Sequence, residues 1–186
     1  MPARPAIVLF PVETSIHNRP PEINDRSQFG NREGDLMIFK RAHGEANVAT
    51  LVECKTRYTV LLCDNDRKSR HLMNRLIHEM SPSPAAARRS ITFDRGLESV
   101  AWRELETGMG TRVWFCDPQA PWQKGTVESM NKRIRRYLSR DSAVLQLPSN
   151  SMRMTCQRLN AIPRKCLGYR TPTEAFRDEL IRPKAL

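Results

Sequence analysis

The stretch "DLMIFKRAHGEANVATLVECKTRYTVLLC", residues 35–63, decides the fold class. Within it DLMIF (35–39), NVATLVEC (47–54) and RYTVLLC (57–63) are rich in Val, Thr and Leu and are divided by short turn-prone segments. That pattern predicts an antiparallel three-stranded meander. The period then changes. SRHLMNRLIHEM (69–80) sets Leu72, Met73, Leu76, Ile77 and Met80 on one helical stripe, with Ser69 as the expected N-cap. SITFD (90–94) reads as a buried strand ending at an Asp, LESVAWRELE (97–106) as a helix, and TRVWFC (111–116) as another strand. A Pro-punctuated loop (117–123) leads to a helix from Gly125 to Leu138 with Val127, Met130, Ile134, Tyr137 and Leu138 on its apolar face. Two further helical segments are expected near 151–161 and 172–180. Strands followed by alternating helices and strands predict a mixed α/β domain. Residues 1–30, rich in Pro, Asn and Arg, read as an irregular arm, 31–142 as the core and 143–186 as a C-terminal helical extension.

The chain has 186 residues, enough for one domain with a substantial core, and a formal charge of +11. Eleven Lys or Arg lie between Val113 and Arg170 against only Asp117, Glu128 and Asp141. A basic surface concentrated in the C-terminal third points to a polyanionic partner such as DNA. No apolar run is long enough for a membrane helix, and Pro11 breaks the short N-terminal one, so neither a membrane span nor a signal peptide is expected. Five cysteines without a CxxC pair read as reduced thiols in a cytosolic protein, and the four histidines do not complete a zinc-finger spacing.

Three carboxylates stand at element edges: Asp35 opens the first strand, Asp94 ends the fourth, and Glu128 begins the helix after the fifth. In a compact sheet they would converge, and their mutual repulsion would call for divalent cations. Mg²⁺ suits such oxygen donors, and two ions roughly 3.5–4 Å apart serve phosphodiester chemistry. Each acid also has a local reading: Asp35 closing a turn, Asp94 in an Asx turn with Arg95 and Gly96, and Glu128 favoured by the helix dipole.

The strings EGDLMIF, TLVECKTRYTVLL, RRSITFDRG, WFCDPQAPWQKGTVES.N and LNAIPRKCLGYRTPTEAF, in this order, resemble the catalytic region of insertion-sequence transposases of the IS-thirty family. The resemblance spans roughly residues 16–180 and includes the thirty-three residues between Asp94 and Glu128, a spacing characteristic of that family. It implies a retroviral-integrase-like, RNase H-like fold: a mixed five-stranded sheet with flanking helices. It also implies Asp35, Asp94 and Glu128 as a catalytic, metal-binding triad for two Mg²⁺ or Mn²⁺ ions. In such enzymes the metal activates water to cleave a phosphodiester at the transposon end, and the freed 3′-OH attacks target DNA. The implied partners are transposon-end and target DNA, bound by a homo-oligomer in the bacterial cytosol.

With that family in view, Asn131, Lys132 and Arg135 share a helix face with Glu128. That face would hold the acid while its cations contact phosphates. Lys124 would bind a phosphate beside the scissile one, and Gly125 would let the backbone approach DNA. Arg133 and Arg136 would join the general phosphate footprint. Trp122 either stacks on a base or sugar or packs in the core. Arg164 and Lys165 pack near the site or contact DNA. The chain departs from the family pattern at Arg32, Cys54, Ser99 and Ser129, none of them a triad acid. Family members carry an N-terminal helix-turn-helix region, whereas about thirty residues precede GDL here. A truncated copy that binds DNA with little sequence preference is therefore expected. Two rival readings are a non-catalytic DNA-binding remnant and a metal-dependent nuclease unconnected with transposition.

Overall fold

The computed structural model describes residues 9–40, 46–64, 68–96, 99–148 and 150–182. Its five-stranded sheet has the order β3-β2-β1-β4-β5. Strand β1 (Asn31–Ile38) pairs antiparallel with β2 (Asn47–Glu53), which pairs antiparallel with β3 (Thr59–Asp64), so the expected meander forms. On its other side β1 runs parallel to β4 (Ser90–Phe93), and β4 parallel to β5 (Arg112–Phe115). Strand β1 starts earlier than the expected Asp35. Asn31, Arg32, Glu33 and Gly34 lack the apolar alternation that marks a strand. They are nonetheless buried, because a central strand is covered from both sides.

The N-terminal segment, expected to be irregular, instead carries two 3-10 turns, Val12–Thr14 and Ile16–Asn18, and the single-turn helix α1 (Pro21–Asn24). That segment is tied to the β5 side of the sheet by a Ser15–Phe115 bridge, by the Phe10 ring on Phe115, and by Arg19 donating to Thr92 Oγ1 at 2.9 Å. Helix α2 (Ser69–Met80) has the predicted bounds, but its N-cap is Lys68. Ser69 lies inside the first turn, where its hydroxyl accepts from the Ala101 amide and links α2 to the next helix. Helix α3 (Arg103–Met109) starts later than the expected 97–106, whose first two residues lie outside the described ones. Helix α4 (Gly125–Ile134) stops short of Leu138 and leaves Tyr137 exposed in the following turn. Helices α5 (Ser151–Asn160) and α6 (Pro172–Ile181) follow, α6 opened by a Thr171–Glu174 capping box.

The pleat sorts side chains into two cores. Leu51, Ile91, Phe93 and Phe115 pack with Leu72, Met73 and Leu76 of α2 and Leu105 of α3. On the opposite face Met37, Val48, Val52 and Leu61 pack with Val127, Met130 and Ile134 of α4 and Leu159 of α5. Asn160 ends α5 and clips it to β3: its side chain accepts from Thr59 N and donates to Thr59 O at 2.9 and 2.8 Å. Phe176 of α6 stacks on Tyr58.

Gly34 is where the sheet is tightest. A Cβ there would lie 2.4 Å from the Phe93 ring, so only a residue without a side chain lets β1 and β4 close together. Gly34→Ala is expected to cost about 1–3 kcal/mol through overpacking. In a melting experiment that appears as a drop of several degrees. A melting temperature equal to wild type would show that Phe93 can step aside.

Candidate active site

The parallel register pairs Arg32 with Ile91 and Glu33 with Thr92. Continued by two residues, it sets Asp35 beside Asp94 on the α4 face of the sheet. Two acids from distant sequence positions are thus brought together just past the last parallel pair of β1 and β4, Asp35 within β1 and Asp94 directly after β4. Between them lies a cation. Lys124, only 2% exposed, directs Nζ to Asp35 Oδ1 at 3.1 Å, Asp94 Oδ2 at 3.3 Å and the Gly34 carbonyl at 3.1 Å. Burial pulls the Lys124 amine down, but the charges of Asp35 and Asp94 outweigh it and hold the amine above its ordinary value. The structure therefore places Lys124 inward against the carboxylates, and a phosphate contact would require it to leave them.

Helix α4 brings the third acid. Its first-turn amides have no local side-chain cap. Instead Glu33 of β1, buried in the sheet, accepts from Thr126 N and Val127 N at 2.8 and 2.9 Å. A carboxylate at that end also meets the positive pole of the helix. Glu33 lies two residues before Asp35, on the same face of β1. One strand therefore both supplies the first acid and fixes the helix that carries the third. Sequence reasoning passed over Glu33, although EGD sets two acids at strand spacing. Glu128 does lie in the first turn of α4, as its local reading has it, while the amides of that turn are capped by Glu33.

Glu128 borders two depressions: one of about 380 Å³ shared with Asp94 and Lys124, another of about 550 Å³ shared with Asp35 and Asn131. Burial first, and then the charge of Asp35, push the Glu128 carboxyl above its ordinary value. Asn131, one turn on, donates to Asp35 Oδ2 at 2.6 Å and so ties α4 to the first acid. Among the described residues no three His, Cys, Asp or Glu side chains are grouped tightly enough to hold one metal ion. Yet Asp35 and Asp94 already share a cation through oxygen atoms, and Glu128 borders the same depressions. An all-oxygen donor set around a cation position fits a hard divalent ion.

Lys132, Arg135 and Arg140 rim the larger depression. Arg135 is held there by donation to the Ile38 carbonyl at 2.9 Å and by its position over the Phe39 ring. Lys132, Arg133, Arg136 and Lys165 are exposed, whereas Arg164 is buried and donates to the Leu159 carbonyl. Trp122 is 75% exposed, so its core-packing reading is overturned. Gly125 begins α4, and a Cβ there would meet only Arg26 Nη2 at 3.5 Å, an ordinary contact. Ser99, one of the departures from the family pattern, is buried and donates to the Asp94 carbonyl at 3.2 Å. None of the five cysteines is in a disulfide, and burial pushes Cys116, which lines the Asp94 depression, up to about 11.

No protein-family model matches the chain. Sequence relatives are clear. The transposase InsI of insertion sequence element IS30C from Escherichia coli K12 is 36% identical over 161 residues, which is 87% of this chain and 41% of that protein. The transposase of insertion sequence element IS1086 from Cupriavidus metallidurans is 34% identical over 174 residues, 94% of this chain and 51% of that protein. By sequence, the chain belongs to the IS30 transposase family. It spans about half the length of the curated IS30-family relatives it matches. A putative integrase, ORF3 of a Spiroplasma virus, is 30% identical over 161 residues, 82% of this chain and 47% of that protein. Among solved structures, a chain of the simian T-cell lymphotropic virus intasome, in complex with the PP2A regulatory subunit B56 gamma, superposes with a TM-score of 0.67 at 17% identity. The match covers 86% of this chain and 58% of that one. The IS30-family chain thus has the retroviral-integrase-like, RNase H-like fold that its motifs imply.

Proposed function

We propose that this chain is the catalytic region of a DDE transposase, carrying out metal-dependent cleavage and transfer of DNA strands. The observation that carries the proposal is the convergence of Asp35 and Asp94 on one buried cation, with Glu128 brought alongside by α4. Asp35, Asp94 and Glu128 would hold Mg²⁺ or Mn²⁺. When bound, such ions activate the attacking oxygen and stabilise the leaving one. The protein's own part is positional. Gly34 lets the two aspartate-bearing strands meet, Glu33 and Asn131 fix α4 against them, and Lys132, Arg135 and Arg140 supply phosphate contacts along the rim. The exposed Trp122 is free to stack on a base or sugar. Metal-dependent nicking of supercoiled DNA, compared between wild type and Glu128→Gln, tests this reading.

Lys124 gives a second test, read without turnover. Lys124→Met leaves Asp35 and Asp94 facing each other without their cation. The metal-free variant is expected to lose about 1–2 kcal/mol, because both acids are partly solvated. The Lys124 contribution is full below its ordinary value of 10.5 and lost only as pH rises through the higher folded-state value, so the deficit should not vary between pH 6 and 9. Added Mg²⁺ should raise the variant's melting temperature more than wild type's, since no ammonium competes for the carboxylates. An equal or smaller Mg²⁺ shift in the variant would refute a cation position shared by Lys124 and the metal.

A further inference from the structure

Beside α4, away from the carboxylates, lies a separate pocket of about 230 Å³ walled by Arg26, Arg57, Arg133 and Arg164, with Gly125 and Ser129 in its lining. Four arginines line it, and among the described residues no Asp or Glu does. Arg164 is 6% exposed, and among the described residues only its Nη2 has a hydrogen-bond partner, the Leu159 carbonyl at 2.8 Å. Its Nε and Nη1 are buried without a hydrogen-bond partner among the described residues. Burial, and then the charge of Arg133, pull the Arg164 guanidinium below its ordinary value. Arg57 is aimed by donations to the Cys54 carbonyl and to Thr126 Oγ1, and its backbone has a left-handed φ of 64°.

Buried N–H donors left unpaired are costly. Converging like charges add to that. The repulsion is relieved when a multiply charged oxyanion enters the pocket, and the guanidinium fork matches a phosphate with two parallel N–H···O bonds. Chemistry thus selects a phosphate group, and position selects its source. Gly125, Ser129 and Arg133 of this pocket alternate on α4 with Glu128, Asn131 and Lys132 of the carboxylate edge. A helix is only about 10–12 Å across, so a single DNA strand can reach both sides. We infer that the arginine pocket binds a backbone phosphate of the processed DNA strand, a few nucleotides from the phosphate at the carboxylates, and so fixes the strand's register. This rests on the DNA-processing role proposed above.

Two metal-free measurements on the whole chain test it. Inorganic phosphate is expected to raise the wild-type melting temperature, and Arg133→Gln to lose at least about half of that rise. Arg153→Gln, an exposed cation outside the pocket, should keep it. In duplex-DNA titrations over a range of salt, Arg133→Gln should lower the slope of log K against log salt by about 1. Arg164→Gln repeats both tests, and the exposed Arg133 serves should the buried variant not fold. A phosphate response that is absent, or equal in Arg133→Gln and Arg153→Gln, overturns the pocket. A pocket-dependent phosphate response with an unchanged salt slope assigns it to a small phosphate and overturns the backbone role. Neither readout involves cleavage. Failure here leaves the Glu128→Gln nicking comparison standing, and failure of that comparison leaves the pocket standing.

Discussion

Supercoiled plasmid incubated with this chain and Mn²⁺ is expected to become nicked, and Glu128→Gln to slow that conversion by roughly 10³-fold. A metal ion at a reacting phosphoryl group contributes several kcal/mol, and each 1.36 kcal/mol is a factor of ten in rate. Gln keeps the size of Glu but offers a neutral oxygen to the cation. Asp35→Asn and Asp94→Asn are expected to be similarly deficient, and the double variants no worse, because groups that hold ions jointly do not contribute additively. Nicking at the wild-type rate by Glu128→Gln would sink the catalytic assignment and leave the DNA-binding remnant as the better account. Joined plasmid–oligonucleotide products, sought with a pre-cleaved end, separate transposition chemistry from simple nuclease action.

The same variant should not be less stable, which distinguishes lost chemistry from lost folding. The Glu128 carboxyl is raised above its ordinary value of 4.5, by burial and then by Asp35. A carboxyl raised on folding favours the folded state while protonated. That contribution is full below the unfolded value and is lost as pH climbs through the folded one. Ionised Glu128 therefore burdens the metal-free protein near neutrality. Chemical denaturation in chelator should show wild type losing stability relative to Glu128→Gln as pH rises from 4 to 7. At pH 7 Glu128→Gln should be at least as stable as wild type. A wild type that gained stability over that interval would mean that the carboxyl is lowered instead. Sites arranged for function commonly carry such a local cost.

Period and composition made much of this fold legible. The meander of 35–63 showed its Val and Thr runs, and α2 announced both ends through an unbroken apolar stripe. What escaped was polar and buried. Asn31, Arg32 and Glu33 carry no apolar signal, yet they sit within the central strand because partners on both sides cover them. Ser69 reads as a cap from its neighbours alone, but the amide it accepts from belongs to Ala101, thirty-two residues away. Lys124 reads as a surface cation because a lone lysine in a basic stretch normally is one. Only the register that joins Asp35 to Asp94 creates a place to bury it. The triad positions came from family strings, and the spacing of three acids in the chain could not by itself have closed them on one another. The arginine pocket drew on Arg26 and Arg57, which lie far from the basic third of the chain.

Glu33→Ala should be the most destabilising single change near the site. The substitution removes the acceptor of two buried helix-start amides and leaves Thr126 N and Val127 N unpaired beside the sheet. Hydrogen bonds to an ionised group are worth about 1.5–3 kcal/mol each, so a loss of about 3–5 kcal/mol is expected. For a domain of this size that corresponds to a fall of roughly 10 °C in melting temperature. Glu33→Gln keeps the length and one acceptor oxygen and should recover more than half of the loss. Activity provides the sharper discrimination. Because Glu33 anchors the start of α4 three residues before Glu128, the Ala variant should nick more slowly than its folded fraction accounts for, measured well below its melting temperature. The Gln variant should show little such excess. A Glu33→Ala protein that melts within about 2 °C of wild type would mean that α4 satisfies its own first turn, since a lost charged bond alone exceeds that shift. The third acid would then be positioned chiefly by Val127, Met130 and Ile134 in the core and by the Asn131–Asp35 bond.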